Sequence, residues 1–194
     1  MSKSLLIDTV SSGRPVDILS EAKIVNGVMF VSGVLQRANV PNQNNRIYPF
    51  EILKREVDKY QDKIRTRGSH GELDHPNVAE VRLSNTSHII TETWWEGDTL
   101  MGICEVLSTP AGKTLRALVE NNVSVGISSR GAGSVSKPDK EGKVIVQEDF
   151  DLLCWDFVSN PSTHGAWMNL KESKSGLVIP TKEGILSQII SLGY

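Results

Sequence analysis

Three polar groups stand in apolar or turn-rich surroundings and have the types that acyl transfer uses. His75 lies in Gly71-Glu72-Leu73-Asp74-His75-Pro76, Ser128 opens Ser128-Ser129-Arg130-Gly131, and Asp156 sits between Trp155 and Phe157. A nucleophilic serine needs a base to take its proton, a third group to orient that base, and N–H donors for the oxyanion. An imidazole, with an ordinary pKa of about 6.5, suits the base at neutral pH. A carboxylate in an apolar strand needs a partner if it is buried, and an imidazole is such a partner. Gly131 and Gly133 allow backbone N–H groups to be exposed after the serine. Arg130 adds a positive charge there, or holds a water that donates to the oxyanion. The order His75, Ser128, Asp156 is not that of the α/β-hydrolases, chymotrypsin or subtilisin. Gly126-Ile127-Ser128-Ser129-Arg130 also departs from a Gly-x-Ser-x-Gly elbow at its last position.

Each feature has a plainer reading beside this one. A Ser-Ser-Arg-Gly sequence after a strand is an ordinary turn. A histidine before proline is a loop residue that bonds locally. Asp156 faces solvent if its strand lies at an edge. Trp94-Trp95 reads as one core and one surface aromatic. His70, His75, His88 and Cys104 lack the compact spacing of a zinc set, so neither a metal nor another cofactor is expected. The apolar flanks of Cys154 raise a thiol pKa and argue against a cysteine nucleophile. On spacing alone a serine hydrolase is one reading among these.

The elements that must position these residues can be read from pattern. A 194-residue chain with 39% hydrophobic and 23% charged residues suits one domain with a real core and excludes wholesale disorder. With 21 basic against 23 acidic residues, the net charge of −2 points away from nucleic acid as a partner. The apolar runs are too short to span a bilayer, and the first fifteen residues have no secretory pattern. Cys104 and Cys154 read as buried thiols of an intracellular protein. The β-branched run 28–35 predicts a strand, and the Asn-rich 39–46 a loop. Pro49 opens a helix over 49–64, with Ile52, Leu53, Glu56, Val57 and Tyr60 near helical spacing. Residues 71–77 read as a compact polar loop. Residues 87–96 and 99–107 form a hairpin around Gly97-Asp98. Thr109-Pro110 starts a second helix that ends at Asn121-Asn122. A strand from residue 123 breaks into a Gly/Ser turn after Ser128, and further strands lie at 144–146 and 150–158. The tail is Ser/Lys/Gly-rich with an amphipathic piece at 184–192. The fold class is α+β with a barrel or sandwich core.

Five motifs in order carry a resemblance: Asn44-Asn45-Arg46-Ile47-Tyr48-Pro49, Gly71-Glu72-Leu73-Asp74-His75-Pro76, Trp94-Trp95-Glu96-Gly97-Asp98, the run from Gly126 to Ser134, and Trp155-Asp156-Phe157-Val158 followed by Asn160-Pro161-Ser162. With these motifs the chain resembles, over about residues 28–168, the prohead core proteases of tailed bacteriophages, especially those of T-even-like phages. These are distant relatives of the herpesvirus maturational protease, assemblin. The resemblance implies a β-barrel-like core wrapped by helices. It implies His75 as base, Ser128 as nucleophile and Asp156 as third member, with His164 competing for that last role. Ser129, Arg130 and Gly131 correspond to the oxyanion region. The implied activity is that of a serine endopeptidase without cofactor, made as a zymogen and working inside the assembling prohead in the host cytoplasm. Its implied substrates are scaffold and core proteins, the major capsid protein and itself, cut after Glu in Leu/Ile-x-Glu. The chain is expected to comprise an N-terminal segment 1–27, a protease domain 28–170 and a tail 171–194, with Leu/Ile-x-Glu self-cleavage sites at Glu21 near the start and Glu172 near the start of the tail. Assemblins act as dimers, so a homo-oligomer is a further expectation, whereas nucleic acid and membrane are not expected partners. A catalytically inactive prohead core or scaffold protein of the same fold is the alternative, and a binding module without catalysis is another.

Overall fold

The strand that carries Ser128 is buried almost throughout. β8 (Val125–Gly133) alternates small and apolar residues and is covered on both faces. Its flanks are filled by backbone. β10 (Asp151–Val158) pairs antiparallel along one side, while β1 (Ser4–Ile7) and β11 (Trp167–Met168) share the other. The structure, a computed structural model, describes residues 4–7 and 21–168.

A second, five-stranded sheet has the order β2 (Glu21–Val25), β3 (Val28–Arg37), β7 (Thr99–Val106), β6 (Thr86–Glu96) and β5 (His70–Glu72), antiparallel throughout. Asn26-Gly27, both at positive φ, makes the tight turn between β2 and β3. A short parallel pair joins β4 (Arg46–Ile47) to β9 (Val144–Ile145). Backbone pairing ties the two large sheets at the end of β5: Leu73 bridges Phe157 in parallel, and the Asp74 N–H donates to the Phe157 carbonyl at 2.8 Å. Across the core β3 packs against β8 and β11. The strand-rich core is therefore built from three sheets among the described residues, not one continuous hydrogen-bonded barrel.

α1 (Phe50–Arg65) buries Leu53, Glu56, Val57 and Tyr60, the i, i+3, i+4, i+7 stripe of a helix lying on a core. Its first free N–H, at Phe50, is capped by the Asn39 side-chain oxygen at 3.0 Å. Buried Glu56 is satisfied by Lys59, Arg55 and the Leu152 N–H. α2 (Pro110–Glu120) starts at Thr109, whose hydroxyl accepts from the Gly112 N–H at 3.0 Å, and it buries Ala111, Gly112, Leu115 and Val119. The helices lie on β6 with β10 and on β6 with β7, respectively. Trp95 packs edge-on against Phe50 at 4.8 Å, while Trp94 reaches Glu96 at the surface.

The fold departs from the sequence expectation at two places. The strand from residue 123 does not break after Ser128 but runs to Gly133, because β1 and β10 supply partners for its backbone on both sides. The loop expected at 71–77 begins as the last strand of the larger sheet. The segment before residue 28 contributes β1 and β2 to the two large sheets. The tail from residue 171, with its amphipathic piece, lies outside the described residues. Among the described residues no helix is long and apolar enough to cross a membrane.

Candidate active site

In the β8–β10 pairing Ser128 stands directly opposite Asp156. Opposed residues of an antiparallel pair project to the same face with Cβ atoms about 5 Å apart. This strand register, set by backbone pairing, therefore places hydroxyl and carboxylate side by side. Both residues have no solvent exposure. His75 arrives from the other sheet. The turn after β5 is fixed by Asp74 at positive φ and by the ties of Leu73 and Asp74 to Phe157, one residue past Asp156. The His75 ring then meets Asp156, with Nδ1 2.7 Å from Oδ2.

That contact fixes the tautomer. A carboxylate accepts only, so Nδ1 carries the proton and Nε2 presents a lone pair. Nε2 is buried and finds no hydrogen-bond partner among the described residues. An orphaned buried ring nitrogen is costly in a merely structural histidine and useful in one that must receive a proton. Ser128 Oγ lies 3.5 Å from Ser162 Oγ. Ser162 is held there by its own carbonyl, which accepts from the Gln43 N–H at 2.9 Å, and by Pro161, whose ring fills the space beside Gly126.

Asp156 is not the solvent-facing strand residue of the plainer reading. Burial by itself would raise its pKa, but the His75 hydrogen bond, the Arg130 charge and the Glu72 N–H at 2.8 Å more than offset this and hold it below the usual carboxylate range. Glu72 is buried too. Its desolvation is outweighed by the Arg82 N–H, the Asn85 amide and Arg130, so it also stays ionised. His164, the competing third member, is exposed in a turn, where its carbonyl accepts from Arg37.

The residues assigned to the oxyanion region separate. Arg130 shares the face of Ser128 and sits in ion pairs with Asp156 and Glu72. Gly131 is on the opposite face, where Phe150 occupies the space a side chain would need. Ser129 is paired with Trp155 and is likewise on the far face. Among the described residues β1 pairs along β8 as far as Arg130, and β11 as far as Gly126. The Ile127 N–H donates across this edge to the Ala166 carbonyl at 2.9 Å. The alternating pattern of the ladder therefore turns the Ser129 N–H toward the same edge, the side on which β1 and β11 pair.

Both cysteines are buried, and burial pushes their thiols well up, which leaves them protonated. His70 and His88 lie on neighbouring strands, but no group of metal-binding side chains occurs among the described residues. Glu21, a proposed cleavage point, is the first residue of β2, and Glu172 lies outside the described residues. Sequence reasoning did not single out Glu72 as a buried partner of the site, although it lies within the motif that supplied His75. The signal available was an acid between glycine and leucine, a setting that suits burial only if it is paired.

Comparison with known proteins decides the family. A family model described as prohead core protein serine protease matches residues 12–176. The chain belongs to that family. It is 35% identical over 148 residues to the prohead core protein protease of Enterobacteria phage T4, covering 74% of this chain and 69% of the relative. The solved structure of the bacteriophage T4 capsid assembly protease, gp21, matches with a TM-score of 0.69 and 31% identity, covering 82% of this chain and 99% of that one. This prohead protease thus shares a mixed fold of strand-rich sheets and two helices with a protease of capsid assembly.

Proposed function

We propose that the chain is a serine endopeptidase of prohead maturation in which Ser128 is the nucleophile, His75 the general base and Asp156 the group that orients it. The observation that carries this reading is the buried His75–Asp156 pair at 2.7 Å, with the free Nε2 on the far side of the ring and Ser128 opposite Asp156 in the strand register. As the Ser128 oxygen attacks the scissile carbonyl, its proton passes to Nε2. Asp156 stabilises the resulting imidazolium, which then protonates the leaving amine. Water repeats the sequence to release the acyl group from Ser128. The Ser129 N–H, next in the chain after the nucleophile and turned away from β10, is the backbone donor we assign to the oxyanion.

The family resemblance supplies the finer statement: cleavage after Glu in Leu/Ile-x-Glu, with scaffold and core proteins, the major capsid protein and the chain itself as substrates inside the assembling prohead. The same resemblance links the fold to assemblin. Purified protein incubated with candidate scaffold protein should cut it, and Ser128→Ala should keep the fold and lose cleavage. Mass spectrometry of the two proteins should show new ends after Glu21 and Glu172 in the wild type alone. Equal cleavage by both would instead assign the chain to the inactive core proteins.

A further inference from the structure

Arg130 is the second-largest of the fully buried side chains, and nothing in strand packing calls for a guanidinium there. We propose that Arg130 and Glu72 are positioning residues that act through the triad acid, Arg130 holding Asp156 charged and aimed at His75 and Glu72 moderating the charge of Arg130. This rests on the proteolytic reading above and changes what the Ser128-Ser129-Arg130-Gly131 motif does: its arginine serves the acid, not the oxyanion.

The groups form one chain of alternating charge. Arg82 meets Glu72 at 3.3 Å, Glu72 meets Arg130 at 3.1 Å, Arg130 meets Asp156 at 2.9 Å, and Asp156 meets His75 at 2.7 Å. The middle three side chains have no solvent exposure, so water screens these interactions little. Both terminal nitrogens of the guanidinium are hydrogen-bonded, and its Nε makes an ion-pair contact alone. Nε lies beside Asp156 Oδ2, off the hydrogen-bond direction. Nη2 donates to Asp156 Oδ1, Glu72 Oε1 and Cys154 Sγ at 3.1 to 3.2 Å. Nη1 donates to the Val78 and Glu80 carbonyls. A fork that touches two carboxylates and two carbonyls at once is geometry that lysine cannot reproduce. Glu72 contributes twice, since its N–H also fixes Asp156 Oδ1. The other titratable groups near Asp156 are Tyr60 from α1, His88 from β6 and Cys154 from β10. Burial keeps all three neutral, so Arg130 and Glu72 supply the field at the His75–Asp156 pair.

The test reads the acid limb of the pH profile for covalent labelling by a fluorophosphonate, with circular dichroism to verify folding. Arg130→Met leaves two facing carboxylates that must share a proton, so the limb should rise by about one pH unit. Glu72→Gln leaves Asp156 with an unshared cation, and the limb should fall by about half a unit. The double variant should return it close to the wild-type position, the signature of coupled charges. Lost packing alone would not move the limb in opposite directions. Folded single variants with unmoved limbs, or with limbs moved the same way, overturn the proposal. If Arg130→Met does not fold, Glu72→Gln and the double variant decide it, and an unmoved or raised limb in Glu72→Gln counts against it. Labelling that survives Ser128→Ala, or a wild type that never labels, overturns the proteolytic reading instead.

Discussion

The chemistry of this site comes down to one ring. His75 is fixed through Nδ1, so the proton it can accept must arrive at Nε2. Asp156→Asn would keep the strand pair but could donate to the ring and stabilise the wrong tautomer. We expect a loss of about 10⁴ in kcat with little change in KM, measured on a scaffold substrate. His75→Gln combined with Ser128→Ala should be no worse than either alone, because the groups act as a unit. The histidine, serine and acid were all readable as candidates from their types and settings. Glu72 was not, because its value depends on Arg130, 58 positions away. Nor were the ion pairs of Arg130 with Asp156 and Glu72 readable, since the direction a guanidinium takes from its strand is set by pairing and not by its neighbours in sequence.

At the scale of elements, β5, β6 and β10 meet where no side chain fits between them. A Cβ at Gly71 would collide with the Trp155 carbonyl and the His88 ring. Gly71→Ala should therefore cost about 3 kcal/mol or more, read from the urea midpoint, because backbone cannot step aside. His88 closes this junction, with Nε2–H donating to the Trp155 carbonyl at 3.1 Å and Nδ1 accepting from the Ser87 hydroxyl at 2.9 Å. Burial pushes its pKa down to about 4 from an ordinary 6.5. A folded-state value below the unfolded one means that the unfolded chain binds more protons between the two. Stability from this group is then complete above about pH 6.5 and is lost as pH falls toward 4, in all on the order of 3 kcal/mol. The melting temperature should fall across that window, and His88→Gln, whose amide can still donate to Trp155, should flatten it. The lowered carboxyls of Asp156 and Glu72 act in the same direction but only below about pH 4.5, so the two effects can be separated.

At the scale of the molecule, the site straddles two sheets. Ser128 and Asp156 belong to one, His75 to the other, and the join is Phe157. Its carbonyl receives the Asp74 N–H, and its ring packs edge-on with His88 at 4.6 Å. Phe157→Ala should cost about 3–5 kcal/mol and also slow fluorophosphonate labelling, measured well below the melting temperature. Leu53→Ala on α1, equally buried, should cost about 2–5 kcal/mol and leave labelling unchanged. A like loss of labelling in both variants would show that the site responds to stability in general and not to this join.

What the amino-acid order determined by itself was local. The stripe of Leu53, Val57 and Tyr60 specified α1, Thr109-Pro110 specified the start of α2, and Gly97-Asp98 specified a hairpin, because each depends on contacts within a few residues. Motif types and order also carried the family. The tertiary structure alone decided that the strand of Ser128 continues to Gly133, since Gly131 and Ser129 look like turn residues until β1 and β10 offer their backbones. It alone decided that Asp156 faces inward and Arg130 faces it. Strand pairing sets Ser128 opposite Asp156, 28 positions on, and the Leu73–Phe157 bridge spans 84; register, which settles the face each side chain takes, is a property of the pair and not of either strand.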